Sequence, residues 1–334
     1  MSKKDTPPSE GKRMPRWKRV LILALPCLLL LISALVVIPQ MLRLSGDVPV
    51  EATPTPPPAP ASTPHPVLTP SPVLETRAPT PEPVSMEEAV QDTHWREIDG
   101  ETYYFINDSQ VLTGLRQIEG KLYYFNMYGQ KADALGIDVS YYNKGINWPA
   151  VKAQGIDFAI LRASYRGWET GLLWDDSCFA QNLQGAMSAG VDVGVYVYST
   201  AVTPVEAVQE ANMLLDRLHG VKLECPIFFD TEQSGDYPNG RADRLSKAQR
   251  AAIVHAFCAT VQSHGYDAGV YSGLNFFKNH INYPTLSRYT TWLANYTSFN
   301  RLPNFDRPYD MWQFTDHGAV NGIRGLVDMN VIYN

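Results

Sequence analysis

Between residues 134 and 334, short apolar runs alternate with helical patterns, and this alternation constrains the fold more than any other feature of the chain. ALGIDVS (134–140), IDFAILRAS (156–164), VDVGVYVYS (191–199) and CPIFFDTE (225–232) read as strands. A helical pattern follows each of them: around Trp148–Gln154, over Ser177–Ala189, from Thr203 and from Ser246. Near-continuous apolar strands need cover on both faces, and a helix between consecutive strands makes them parallel. The last two helices open on capping boxes, Thr203-Pro204-Val205-Glu206 and Ser246-Lys247-Ala248-Gln249, the first with Pro at the first helical position. YDAGVYSG (266–273), TTWLANYT (290–297), YDMWQFTD (309–316) and LVDMNVIY (326–333) follow with no long helix between them. Eight such strands in about 200 residues predict an α/β fold, an irregular (β/α) barrel of TIM-like type whose second half has lost helices.

The segments before residue 134 differ in kind. Residues 1–19 carry seven basic and two acidic side chains. Val20–Pro39 holds 20 residues without a charge, about 30 Å as a helix, which predicts a transmembrane signal anchor with the basic tail in the cytoplasm and everything beyond residue 40 outside. A cleaved signal peptide is the rival reading, but the run is long for one and no clean small-x-small site follows. Residues 40–90 read as a disordered linker. Its 49–83 stretch has 13 Pro, eight Ser or Thr and no aromatic residue, and extended polyproline II would reach on the order of 100 Å. Over 94–133 the chain repeats with a period of 20 residues: WREIDGETYYFINDSQVLTG aligns with LRQIEGKLYYFNMYGQKADA. Each unit predicts a hairpin, an acidic-Gly turn (Asp99-Gly100, Glu119-Gly120) leading into an aromatic strand.

In a barrel of this kind, chemistry sits at the carboxyl ends of the strands. Asp138, Asp230 with Glu232, Asp316 and Asp328 fall at or near such ends, where a barrel core should be apolar and a carboxylate needs a reason. Asp230 and Glu232 are two apart on a strand, so they share a face with Cα atoms about 7 Å apart. Like charges that close raise the pKa of one member, and a protonated acid beside an ionised carboxylate is what glycosidic bond cleavage requires. A turn with two solvated acids is the plain alternative. No His clusters with these acids, so neither a metal nor another cofactor is expected.

The motifs GIDVS (136–140), FDTE (229–232), YSG (271–273), WLANY (292–296) and WQFTDHGAVNGIRGLVDMN (312–330) resemble family-25 glycoside hydrolases across essentially all of 134–334. The resemblance implies a lysozyme, an N-acetylmuramidase cutting the β-1,4 bond between N-acetylmuramic acid and N-acetylglucosamine in peptidoglycan. Carried over, it puts the Asp-x-Glu pair on Asp230 and Glu232, the first-strand acid on Asp138 and the last-strand acid on Asp328. Asp316 has no counterpart and reads as a loop residue. The implied mechanism retains configuration with help from the substrate's 2-acetamido group: Glu232 protonates the leaving oxygen, Asp230 orients that group, and Asp138 and Asp328 hold the pair's ionisation. The hairpin units are similar to cell-wall-binding repeats of choline-binding type, departing where Leu115 stands at the position of Trp95. Tyr196, Tyr198, Trp292, Tyr296 and Trp312 are candidates for stacking on sugar rings, and Arg162 for pairing with one of the acids, although core packing accounts equally well for each aromatic taken singly.

A net charge of −6 sets nucleic acid aside as a partner. Expected partners are peptidoglycan glycan strands, the membrane through 20–39 and a cell-wall polymer through the repeats over 95–134. Cys178, Cys225 and Cys258 match no zinc spacing and read as buried small hydrophobes. Two readings stay open: an anchored wall-remodelling enzyme, and a non-catalytic peptidoglycan-binding protein tethering membrane to wall. The intact acids count against the second. A phage endolysin fits poorly with an uncleaved span, and the longer acidic strand motif of a chitinase is missing.

Overall fold

The computed structural model describes residues 93–234 and 239–333. The tail, the apolar run over 20–39 and the linker over 40–90 lie outside the described residues, and among those described no helix is long and apolar enough to cross a membrane. Each twenty-residue unit folds as a hairpin. β1 (His94–Ile98) pairs antiparallel with β2 (Glu101–Asn107), which also carries the short β3 (Gln110–Val111). β4 (Gly114–Ile118) pairs with β5 (Lys121–Phe125). Both two-residue turns need left-handed backbone at each central position, with φ of 54° and 85° at Asp99-Gly100 and 50° and 83° at Glu119-Gly120. An acidic residue followed by Gly tolerates that geometry.

The remaining elements run β6 (Ala134–Val139), α1 (Trp148–Ala153), β7 (Phe158–Arg166), β8 (Leu173–Asp175), α2 (Phe179–Ser188), β9 (Asp192–Tyr198), α3 (Pro204–Leu218) and β10 (Ile227–Asp230). Then come α4 (Lys247–Ser263), β11 (Ala268–Gly273), the short α5 (Leu274–His280) and α6 (Tyr283–Leu286), β12 (Thr290–Ala294), β13 (Met311–Gly318) and β14 (Val327–Ile332). β6, β7 and β9 to β14 close into an eight-stranded ring, because β6 pairs with both β7 and β14. Two points correct the all-parallel expectation. β14 runs antiparallel to both of its neighbours, so the ring is a barrel with its last strand reversed. β8, unseen in the sequence, adds antiparallel to β7 outside the ring. Ser246 forms the full capping box, but Thr203 forms only half of one: the Glu206 carboxylate accepts from Val202 N–H and pairs with Arg241 instead of returning to the cap.

Two layers of apolar packing hold the ring. Phe158, Ile160, Phe228, Trp292 and Met311 fill the lumen. Glycine makes room for the two phenylalanines: a Cβ on Gly136 or Gly269 would lie 2.4 Å from the ring of Phe158 or Phe228, its register neighbour. Outside the ring a larger cluster joins strands to helices and includes Leu122, Tyr124 and Ala132 of the hairpin segment. Tyr124 packs edge-on to Trp312 at 5.8 Å and lies 4.3 Å from Phe314, and Leu122 N–H donates to the Gln154 carbonyl at 2.7 Å. Leu115, partly buried, packs on the same cluster, which accounts for an aliphatic residue where the first unit has Trp95. Among the described residues Cys178, Cys225 and Cys258 are free; Cys258 is buried as expected, whereas Cys178 and Cys225 are only partly buried.

The second hairpin is therefore part of the barrel's core. Tyr124→Ala is expected to lower the stability of the barrel by about 3 kcal/mol, read as a shifted urea midpoint for near-ultraviolet signals from the barrel tryptophans. An unchanged barrel transition would show the hairpins to be an independent bead.

Candidate active site

Ring closure gathers one rim of the barrel from the carboxyl ends of seven parallel strands and the first residues of the reversed β14. Reversal is what brings the last acid in: Asp328 stands directly opposite Asp138 in the β14–β6 register. Asp230 ends β10 between Tyr198 of β9 and Tyr271 of β11, and Glu232 follows two residues on. The four acids expected from the sequence thus meet at one mouth. A cleft of about 470 Å³ opens beside Glu232, with Tyr271, Phe276, His280, Asn295 and Tyr296 among its walls. Asp316, expected in a loop, lies on β13 with its carboxylate against His317.

Asp138 is buried, and its Oδ2 accepts two amide N–H groups, Gln313 Nε2 and Asn330 Nδ2, each at 2.8 Å. The polarity of this network is fixed from outside. Asn330 Oδ1 accepts from Trp292 Nε1 at 2.8 Å, and an indole N–H can only donate, so Asn330 must turn its NH₂ toward Asp138. Gln313 Oε1 is held by the hydroxyls of Tyr271 and Tyr296 at 2.8 and 2.9 Å, which leaves its NH₂ for the carboxylate. Asp230 is equally buried, but its Oδ1 has no donor among the described residues.

Burial raises every pKa in the cluster. Burial first, then Asp328, pushes Asp138 well up, while the donors Asn330 and Gln313 pull it down. Burial, then Glu232 and Asp138, pushes Asp230 well up, and Arg162 alone opposes. Glu232 rises to about 7 through burial and the charge of Asp328. Asp328 rises to about 6 through burial and Asp316. The cluster therefore holds protons at pH values where free carboxyls have none, and the two donors on Asp138 oppose, without cancelling, the burial that pushes it up.

The aromatic candidates divide. Tyr196 and Tyr198 are partly buried on the lumen face of β9 near the acids, and Tyr296 is 52% exposed beside the cleft. Trp292 and Trp312, expected to stack on sugar, are each 1% exposed and cannot reach a ligand. Trp292 fills the lumen against Phe228, Tyr271 and Tyr196, whereas Trp312 faces outward to Tyr124 and donates to the Asn295 carbonyl at 2.8 Å. Arg162 does not pair with any of the four acids; its Nε donates to Asp176 Oδ2 at 2.9 Å. Sequence reasoning missed Gln313, Asn330 and Tyr271. Their signal was a polar group on a lumen-facing position: Asn330 lies two residues from Asp328, and Gln313 two from Met311.

A carboxyl whose pKa is higher folded than unfolded destabilises the fold once pH exceeds the unfolded value. With Glu232 at about 7 against an ordinary 4.5, folding binds a proton between those values, so stability falls as pH rises through that window. Glu232→Gln is expected to leave stability unchanged below about pH 4 and to raise it by about 2–3 kcal/mol above pH 7, measured by urea unfolding across pH.

Residues 137–323 match the family model of the glycosyl hydrolases family 25. The autolytic lysozyme of Clostridium acetobutylicum is 30% identical over 195 residues, 58% of this chain and 54% of that protein. Lysozyme M1 of Streptomyces globisporus is 25% identical over 203 residues, 58% of this chain and 66% of that protein. The chain thus spans between about half and two thirds of the length of these curated relatives. Among solved structures, the modular autolysin LytC of Streptococcus pneumoniae shares the fold with a TM-score of 0.57 at 24% identity, covering 72% of this chain and 58% of that one. The lysozyme of Streptomyces coelicolor does so with a TM-score of 0.50 at 22% identity, over 60% of this chain and 92% of its own. An eight-stranded closed barrel with carboxylates at one mouth, matched by a family model over more than half its residues, places this chain in the glycosyl hydrolases family 25.

Proposed function

We propose that this protein is a lysozyme that hydrolyses the β-1,4 bond between N-acetylmuramic acid and N-acetylglucosamine in peptidoglycan. The observation that carries the reading is the buried Asp230 Oδ1, without a donor among the described residues, next to Glu232 with its pKa raised to about 7. A buried acceptor left unpaired is costly until something supplies a donor. The 2-acetamido N–H of a bound sugar is such a donor. It would fix Asp230 as an anion and turn the acetamido oxygen toward the anomeric carbon. Glu232, protonated near neutral pH, gives its proton to the leaving oxygen as the glycosidic bond breaks and the acetamido oxygen bonds to the anomeric carbon. The ionised Glu232 then takes a proton from the water that opens this intermediate, with net retention. Asp138, anchored by two amides, supplies fixed negative charge below the reacting sugar, and Asp328 keeps Glu232 loaded. The similarity to an autolytic lysozyme and to a second lysozyme supports the same chemistry.

The fold is read as a TIM-like (β/α) barrel with a reversed last strand and reduced helices. Val20–Pro39 is read as a signal anchor with a cytoplasmic N-terminus, residues 40–90 as a spacer, and the hairpins over 94–133 as a contact for a wall polymer. Together they would make the enzyme a membrane-anchored, outward-facing agent of wall remodelling.

The test uses the full chain and its Glu232→Gln variant with purified peptidoglycan, and reads new reducing ends by labelling and mass spectrometry. Muramic acid ends are expected from the parent, reduced by about 10²–10⁴-fold in the variant. Glucosamine ends would refute the bond assignment, and wall binding without any release would turn the reading to a tether. Turnover should also fall as pH rises past about 7, where Glu232 loses its proton. Gln313→Glu exchanges an amide donor on Asp138 for a carboxyl, so the acid limb of the rate profile should move up by about one pH unit. A role in packing alone would lower kcat without moving that limb.

A further inference from the structure

One side of the mouth carries aromatic rings and positive charge that the proposed chemistry leaves unused. Tyr141 and Tyr142 lie in the loop after β6, their ring centroids 4.1 Å apart. Tyr165 lies on β7, past the irregularity between Arg162 and Ser164, in register with Tyr198. The Arg162 guanidinium packs against all three rings, with Cζ at 4.8, 5.5 and 5.2 Å from Tyr141, Tyr142 and Tyr165. This group is held in place from below. The fully buried Asp176 carboxylate accepts from Arg162 Nε, from Tyr141 N–H and from Cys178 N–H, each at 2.9 Å. One carboxylate thus ties together the β6 loop, β7 and the start of α2.

Such bracing leaves large aromatic faces open to solvent. Tyr142 is 74% exposed, and Trp174 on β8 is 51% exposed, directly opposite Tyr165 in the β7–β8 register and so on the same face of the ribbon. Lys144 is exposed, its ammonium 5.8 Å from the Tyr141 ring, and makes no ion pair among the described residues. The group adjoins the acid cluster: Tyr165 is in register with Tyr198, and Tyr198 with Asp230. Arg162 is largely enclosed: its Nε is taken by Asp176 and its Nη2 is buried without a partner among the described residues, so it serves here as the scaffold under the rings and Lys144.

We infer that Tyr142, Tyr165 and Trp174, with Lys144 at the edge, form a saccharide platform outside the cleavage point that takes a sugar unit bearing a carboxylate. The rings supply flat apolar faces for the C–H side of a sugar, and a rigid platform spares the ordering cost of binding. Lys144 supplies the charge that separates a muramyl unit, with its lactyl carboxylate, from a neutral chitin unit. This inference rests on the peptidoglycan reading and adds to it the means by which the glycan is told from chitin.

The test uses the full chain carrying Glu232→Gln, titrated calorimetrically with a GlcNAc–MurNAc tetrasaccharide and with chitotetraose. Tyr142→Ala or Trp174→Ala should weaken binding of the muramyl tetrasaccharide about tenfold. Lys144→Gln should weaken the muramyl ligand alone, by roughly three- to tenfold at low salt, and leave chitotetraose unchanged. If the wild-type chain releases muramic acid ends but none of these substitutions alters affinity, the platform is overturned and the peptidoglycan reading survives. Equal loss for both ligands in Lys144→Gln overturns the carboxylate assignment. A chain that neither cuts peptidoglycan nor binds the muramyl ligand overturns both.

Discussion

Two amide N–H groups on one oxygen of Asp138 are the interaction on which the mouth of this barrel depends. Four carboxyls so close together in a buried rim cannot all be ionised, so the electrostatics come down to which of them keep their protons. Hydrogen-bond supply decides this. Asp138 has two donors, each with its direction set by a further partner, while Asp230 has an oxygen with none among the described residues. The donors favour the Asp138 anion against the burial that pushes its pKa up, and Asp230 lacks the same help. The same network welds β6, β11, β12, β13 and β14 together through Asp138, Tyr271, Trp292, Gln313 and Asn330, so stability and chemistry share their parts.

The reversed last strand makes this possible. A parallel β14 would carry Asp328 to the opposite end of the ring from Asp138. Running antiparallel, it places Asp328 and Asn330 on one face, two residues apart, with one beside Asp138 in register and the other bonded to its carboxylate. The lumen below is filled by Phe158, Phe228 and Trp292, which dry the site and raise the carboxyl pKa values. The outer face is sealed in part by the second hairpin, whose Tyr124 covers Trp312, the residue next to Gln313.

Much of this was legible in the sequence, for a physical reason in each case. Strand and helix alternation follows from burial, and the acids stood out because a carboxylate at a strand end needs an explanation. The Asp-Gly and Glu-Gly turns declared the hairpins through backbone geometry that few other pairs adopt. What could not be read was which lumen positions stay open. Trp292 and Trp312 have the same alternation as Tyr196 and Tyr198, yet one fills the barrel and the other faces outward, a distinction set by ring closure and not by local pattern. The direction of β14 was hidden because an apolar strand reads alike either way. Gln313 and Asn330 drew no notice because neutral amides show their importance only once their partners are known. Arg162 found Asp176, an acid in a loop, because closure brought it nearer than the four at the rim.

The central claim is that Glu232 carries a proton near neutral pH because burial, and then the neighbouring charge of Asp328, disfavour its anion. Carboxyl ¹³C NMR of the full chain with labelled glutamate, assigned through Glu232→Gln and followed across pH, measures this directly. The account predicts a Glu232 midpoint at about 7. A midpoint near the ordinary value of about 4.5 would contradict it.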